Sequence, residues 1–192
     1  MREPSAKAGG FLVSKVSHMV LGSDEGNLIM ASGQAELHFL CGKIAAGKST
    51  LAKALAAEHR AVVLSEDEWL PLLYPDELLT IPDYVRYSTR LKKVVGPLVR
   101  DLLAARVTVV RDFPANTVEQ RRWMKDLANS TNAPHTLHYL DVPNEVCKAR
   151  LKARNAGGEH PFEVTDEQFE KVTSHFVPPS EEEGFIIVEH GL

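Results

Sequence analysis

From residue 37 onward the chain alternates short apolar runs with longer segments in which apolar positions recur three and four residues apart. Five runs, Leu37 to Cys41, Ala61 to Leu64, Val107 to Val110, Thr136 to Leu140 and Phe185 to Val188, read as strands. Strands alternating with helical patterns specify a parallel sheet covered by helices on both faces, an α/β three-layer architecture. The helix ends are legible too. Asn116 with Glu119, and Thr165 with Gln168, have capping-box spacing, and Pro143 suits the first turn of a helix running to Arg154. Between the second and third strands, Glu66 to Arg106 is longer than a simple crossover needs, and we expect it to serve recognition. Its second half places Tyr84, Tyr87, Leu91, Val94, Leu98 and Leu102 on one helical stripe, with Arg86, Arg90, Lys93 and Arg100 on the other side. Gly96-Pro97 is expected to kink or divide that helix.

Residues 1–35 have no sustained period and mix Pro, Gly and Ser with short apolar pieces, so they are expected to form a poorly ordered extension ahead of a domain at 36–192. Lys15 and His18 interrupt the run from Phe11 to Leu21, no small-residue cleavage site follows, and the run is too short to span a bilayer. Met30, just upstream of the first strand, is a candidate native start.

Composition adds limits rather than detail. A net charge of −4 over 192 residues, with 44% hydrophobic and 25% charged residues, describes a soluble protein with no overall basic field for nucleic acid and no membrane partner. The two cysteines, Cys41 and Cys147, fall in no ligand spacing and read as core thiols, consistent with a cytoplasmic location. The eight histidines show no H-x-x-x-H or Cys/His spacing, so the sequence supports no zinc site.

One stretch carries explicit chemistry. Gly42, Lys43, Ile44, Ala45, Ala46, Gly47, Lys48, Ser49 and Thr50 fit G-x-x-x-x-G-K-[ST], entered from a strand and left by Leu51, Ala54 and Leu55 at helical spacing. In such a P-loop, backbone N–H groups and the helix N-terminus cradle phosphate oxygens, Lys48 reaches the terminal phosphates, and the Ser49 hydroxyl ligates Mg²⁺. Ligands of open parallel sheets lie at the carboxyl ends of the strands, which directs attention to acids there. Asp112 ends Val109-Val110-Arg111-Asp112, where it can hold Mg²⁺ opposite Ser49 or cap the turn near Pro114. Asp67, within Ser65-Glu66-Asp67-Glu68, can take a proton from a substrate hydroxyl. Glu66 and Glu68 are its rivals, and all three can instead serve a helix N-terminus. Arg150 and Arg154 share a helix face and are followed by Asn155-Ala156-Gly157-Gly158, the pattern of a lid whose guanidiniums close over a triphosphate, or else of an exposed basic face. Arg121 and Arg122 are weaker candidates for substrate contact.

These residues, with the Leu140-Asp141-Val142-Pro143 corner and Pro178-Pro179 before Glu181 to Glu183, resemble the small P-loop kinases that include chloramphenicol phosphotransferase, the zeta toxins and the kinase domain of polynucleotide kinase. The resemblance covers residues 37 to 190. It implies a five-stranded sheet in the order 2-3-1-4-5 with a helical lid, ATP with Mg²⁺, Asp67 as base toward an acceptor hydroxyl, and Arg150 and Arg154 on the phosphates. Arg111 stands where that pattern leads one to expect an apolar residue, and the insertion from Trp69 to Arg106 matches no member of known acceptor. The expected activity is transfer of the γ-phosphate of ATP to a small-molecule hydroxyl. Rival readings are a kinase of nucleic-acid 5′-hydroxyls, kept open by Tyr84, Tyr87, Arg86 and Arg90, and a nucleotide-binding module with little catalysis.

Overall fold

The computed structural model describes residues 34–157 and 164–191. The extension expected over 1–35, and with it Met30 and the run from Phe11 to Leu21, lies outside the described residues as far as 33. Gln34 and Ala35 belong with the domain: Ala35 is buried, and Gln34 Nε2 donates to the Asn132 carbonyl at 3.2 Å.

The strands are β1 (Leu37–Gly42), β2 (Val62–Ser65), β3 (Val109–Asp112), β4 (His135–Leu140) and β5 (Ile186–His190). They form one parallel sheet in the order 2-3-1-4-5, as the resemblance implied. The helices are α1 (Lys48–His59), α2 (Glu66–Leu73), α3 (Ile81–Ala104), α4 (Val118–Thr131), α5 (Asn144–Gly157) and α6 (Asp166–Thr173), with a 3-10 turn at Glu181–Glu183. No helix among the described residues is long and apolar enough to cross a membrane.

Alternation along β1 divides the core. Leu37, Phe39 and Cys41 face a cluster with Leu91, Val95 and Val99 of α3 and Met124 and Leu127 of α4, while Leu40 packs with Ala52 and Leu55 of α1 and Val110 of β3. A third cluster, Ala46, Leu140, Val142, Cys147, Leu151 and Phe169, sets α5 and α6 against the P-loop side.

Several local expectations need correction. The capping box of α4 is Thr117 with Gln120, one residue later than Asn116 with Glu119: Gln120 N donates to Thr117 Oγ1 at 3.2 Å, and Gln120 Oε1 accepts from the Thr117 and Asn116 amides. The box of α6 at Thr165 and Gln168 stands as read. Helix α3 is not divided at Gly96-Pro97 and runs 24 residues through both. Proline removes only the bond to the carbonyl four residues back, on exposed Lys93 where water can replace it, and Gly96 is buried with Trp123 beside it. The buried stripe of α3 is Tyr87, Ser88, Leu91, Val95, Gly96, Val99 and Leu103, turned away from the predicted one, so Val94 and Leu98 are exposed. Helix α5 continues through Asn155 and Ala156 to Gly157. The break expected at 155–158 is thus helical in its first three residues, and Gly158 lies outside the described residues.

Candidate active site

The P-loop leaves β1 at Gly42, where a Cβ would come within 3.2 Å of both the Cβ and the carbonyl oxygen of Leu140 on β4, a tighter fit than most side chains meet, so glycine eases this approach. Ala45 (φ 59°) and Gly47 (φ 109°) take left-handed conformations that bend the loop into the start of α1. Lys48 Nζ donates to the Gly42 and Lys43 carbonyls at 2.8 and 2.9 Å, which holds its ammonium at the centre of the loop. Burial pulls the Lys48 ammonium below its ordinary value, and the carboxylates of Asp112 and Asp67 push it back up.

Asp112 is the last residue of β3, paired in register with Ser65 at the end of β2, so both strand ends open beside the P-loop. Burial raises the Asp112 carboxyl; the Ser49 hydroxyl and the Lys48 charge draw it down, and Asp67 and Glu68 push it up again. Asp112, Asp67, Glu68, Lys48 and Ser49 therefore share one electrostatic neighbourhood. The three acids after β2 all lie in the first turn of α2, but the helix sends them in different directions: Asp67 and Glu68 are exposed, and Glu66 is fully buried.

Both candidate lid arginines reach this neighbourhood. Arg150 Nη1 donates to the Ala46 carbonyl of the P-loop at 3.0 Å. Arg154 is near enough for the Asp67 charge to act on it: burial lowers its guanidinium and Asp67 offsets part of that, while its Nε is buried without a hydrogen-bond partner among the described residues.

Behind the exposed acids lies a buried charged layer that the sequence reading did not assemble. Arg111, 0% exposed, is sandwiched between Phe113 (4.0 Å to the ring centre) and Trp123 (4.3 Å). Burial pulls its guanidinium down to about 9, opposed by Glu66 and Tyr84. Glu66 is raised by burial, with the Ser88 and Tyr84 hydroxyls and the Lys92 and Arg111 charges acting to lower it. Tyr84 is raised by burial and by both Glu66 and Asp67, so its hydroxyl stands between the buried acid and the exposed one. Two ring faces return only about 2 kcal/mol each against several for burying a cation, and the Glu66 charge acts on Arg111 without a direct ion pair: the three guanidinium nitrogens and both Glu66 carboxylate oxygens are buried with no hydrogen-bond partner among the described residues. A signal was present in the sequence: a lone arginine inside an apolar strand requires a buried counter-charge, and Glu66 stands two residues past Leu64, its in-register neighbour.

Other candidates fall away from the site. Arg121, fully buried, makes a bidentate pair with Glu183 at 2.7 and 2.8 Å and donates to the Ala115 and Val177 carbonyls, a strut that holds the 3-10 turn to α4. Cys41 and Cys147 are buried free thiols; burial pushes Cys41 up to about 11. Tyr87 is 2% exposed, stacked on Tyr74 at 4.0 Å and covered by the Arg86 and Arg90 guanidiniums.

Residues 37–179 match a protein-family model, AAA_33, described as an AAA domain. Among curated proteins none matches. Among solved structures, a provisionally named kinase from Chloroflexus aurantiacus is similar at 18% identity and TM-score 0.65, with 83% of this chain and 86% of that one covered. The adenosine-phosphosulfate (APS) kinase CysC of Mycobacterium tuberculosis, solved with AMPPNP and APS, is similar at 17% identity and TM-score 0.56 (81% and 88% covered). A chain of the Pnkp1/Rnl/Hen1 RNA repair complex is similar at 23% identity and TM-score 0.58, and there the match spans 80% of this chain but 46% of that one. Identities this low speak for the fold, and the fold agrees with the sheet order, the P-loop and the family match: the chain belongs to the AAA_33 family and has the architecture of the small P-loop kinases.

Proposed function

We propose that the protein is an ATP-dependent phosphotransferase that moves the γ-phosphate to a hydroxyl of a small-molecule acceptor. The observation that carries this reading is the convergence of Asp67, Asp112, Lys48 and Arg154 at the carboxyl ends of β2 and β3, next to the P-loop. Residues 42–50 cradle the phosphates of ATP, and Lys48 follows the charge of the terminal phosphates. Ser49 and Asp112 fit a hard cation: both offer oxygen donors, and burial with the nearby Asp67 and Glu68 charges raises the Asp112 carboxyl, against the pull of the Ser49 hydroxyl and Lys48, so that an added cation would relieve it. Mg²⁺ bound there would neutralise β- and γ-phosphate oxygens. As the acceptor oxygen bonds to the γ-phosphorus, Asp67 takes the hydroxyl proton, the bond to the bridging β–γ oxygen breaks, and ADP leaves. Arg150 and Arg154 cover the charge that builds between donor and acceptor, the role of an arginine finger supplied in cis.

A nucleic-acid acceptor is less well supported, because Tyr87 and its two arginines are engaged with one another and Tyr84 is turned to the acids. The test is acceptor-dependent ADP release over a library of hydroxylated metabolites, with 5′-hydroxyl oligonucleotides as a separate arm. Stimulation by a small hydroxyl compound is expected. Tight ATP binding with no stimulation by any acceptor would overturn the reading in favour of a regulatory module. Stimulation by oligonucleotides alone, with a steep salt dependence of binding, would overturn the acceptor class.

A further inference from the structure

A second cluster of ligand-type side chains lies away from the phosphate site, on the sheet face that α1 covers. His38 is the second residue of β1, and His59 ends α1, which begins at the P-loop and is 12 residues long, so about 18 Å separates the two ends of that helix. The His38 and His59 rings are 4.6 Å apart between centres, and Glu36 Oε2 stands 3.5 Å from His38 Nε2. One ligand atom from each of Glu36, His38 and His59 lies within 4.8 Å of the others.

His38 makes the site more than a chance grouping. It is 3% exposed, and its Nε2 has no hydrogen-bond partner among the described residues. Its other nitrogen is engaged: Nδ1 is 3.1 Å from His138 Nε2, and His138 Nδ1 is 2.9 Å from His190 Nε2. If each Nδ1–H donates along this line, His38 Nε2 is a bare lone pair with nothing to meet. If the line runs in reverse, Nε2–H points at the Glu36 carboxylate at 3.5 Å, the outer edge of hydrogen-bonding reach. A cation resolves the first arrangement and gives His38 Nε2 a partner.

We propose that Glu36, His38 and His59 bind a divalent transition metal of the zinc type, tying the start of β1 to the end of α1, with His138 and His190 as the outer partners that orient His38. Two imidazoles and one carboxylate suit Zn²⁺ and leave one coordination position open. Bonds of about 2.0–2.2 Å in tetrahedral geometry place ligand atoms about 3.3–3.5 Å apart. Glu36 and His38 already meet that distance, and His59, on an exposed side chain, closes the rest by rotation.

The full chain, stripped with a chelator and free of nucleotide, is titrated with Zn²⁺ alone in a calorimeter, and thermal unfolding is followed in parallel. About one equivalent is expected, with a rise in the unfolding temperature. Outer partners alone cost about 10–100-fold in metal affinity, so Glu36→Gln and His59→Ala, both away from the core, are each expected to cost about 100-fold or more, and His190→Ala about tenfold. ATP affinity of these variants is expected to stay at the wild-type value, and Asp112→Asn is expected to leave the zinc isotherm unchanged. No zinc binding by the wild-type chain overturns the proposal. So does an unchanged isotherm in the Glu36→Gln/His59→Ala double variant, or loss of binding in Asp112→Asn in place of His59→Ala, which would put the metal at the phosphate site.

Discussion

The carboxyl end of the sheet and the histidine line across its α1 face both gather titratable groups, with opposite electrostatics. Around the P-loop the groups are formal charges of both signs: Lys48 and Arg154 interact with Asp67 or Asp112, Arg150 reaches the loop at Ala46, and burial shifts Lys48, Arg154 and Asp112 toward neutrality. Along the histidine line the rings are joined to one another by hydrogen bonds, and His138 is held down at about 4 by burial and by the adjacent imidazoles. A site of partly desolvated charges is prepared for a ligand that brings compensating charge, such as a triphosphate with its cation. A line of hydrogen-bonded imidazoles ending in an unpartnered nitrogen is prepared for a Lewis acid. The difference lies in how charge is held, and the two should respond separately to substitution.

The largest effect is expected from Asp67→Asn, which keeps shape and removes the proton acceptor. Turnover should fall by roughly 10² to 10⁴ while ATP affinity and zinc affinity both survive. Steady-state kinetics with a nucleotide-binding assay checks this, and if Glu68→Gln separates binding from chemistry while Asp67→Asn does not, the base is Glu68.

Next comes the buried layer behind the site. Arg111→Ala empties a fully buried site between Phe113 and Trp123 and removes a positive charge that acts on Glu66, and should cost about 2–5 kcal/mol, a fall of roughly 10 °C in the unfolding midpoint. Pairing Arg111→Met with Glu66→Gln should recover most of that loss. A double variant no more stable than the single one would show that the two groups are not coupled.

Arg154→Ala should slow turnover by roughly 10²-fold if the guanidinium covers transition-state charge. ATP with Mg²⁺ should protect residues 148–157 from hydrogen exchange in the wild type, and this variant should lose part of that protection. Equal exchange in free and nucleotide-bound protein would detach α5 from the phosphate chemistry.

The smallest effect on catalysis is expected from the other cluster: His59→Ala, one helix length from the P-loop, should leave kcat/KM within about twofold. A large loss there would join the two regions through α1 and break the contrast drawn above.

Much of this molecule could be read before its coordinates. The alternation of apolar runs with helical periods specifies a parallel, helix-covered sheet, and the nine residues of the P-loop are contiguous, so local backbone geometry alone brings their amides, Lys48 and Ser49 together. Asp67 and Asp112 were found for a related reason: in a parallel sheet all strands end on the same side, so a residue's place at a strand end announces where it opens. Other features depended on packing between distant segments. Which way α3 turns its stripe, so that Val95 and Val99 are buried and Val94 is exposed, is decided by Trp123 and the face of β1, since several apolar stripes on that helix are nearly equivalent by periodicity. That Glu66 is buried while Asp67 and Glu68 are not is set by the way α2 packs, since three consecutive acids look alike along the chain. The histidines show no ligand spacing along the chain because residues 38, 59, 138 and 190 are brought together by strand order. On one sheet face, a step to the neighbouring strand is shorter than any helix, and linear spacing carries no trace of it.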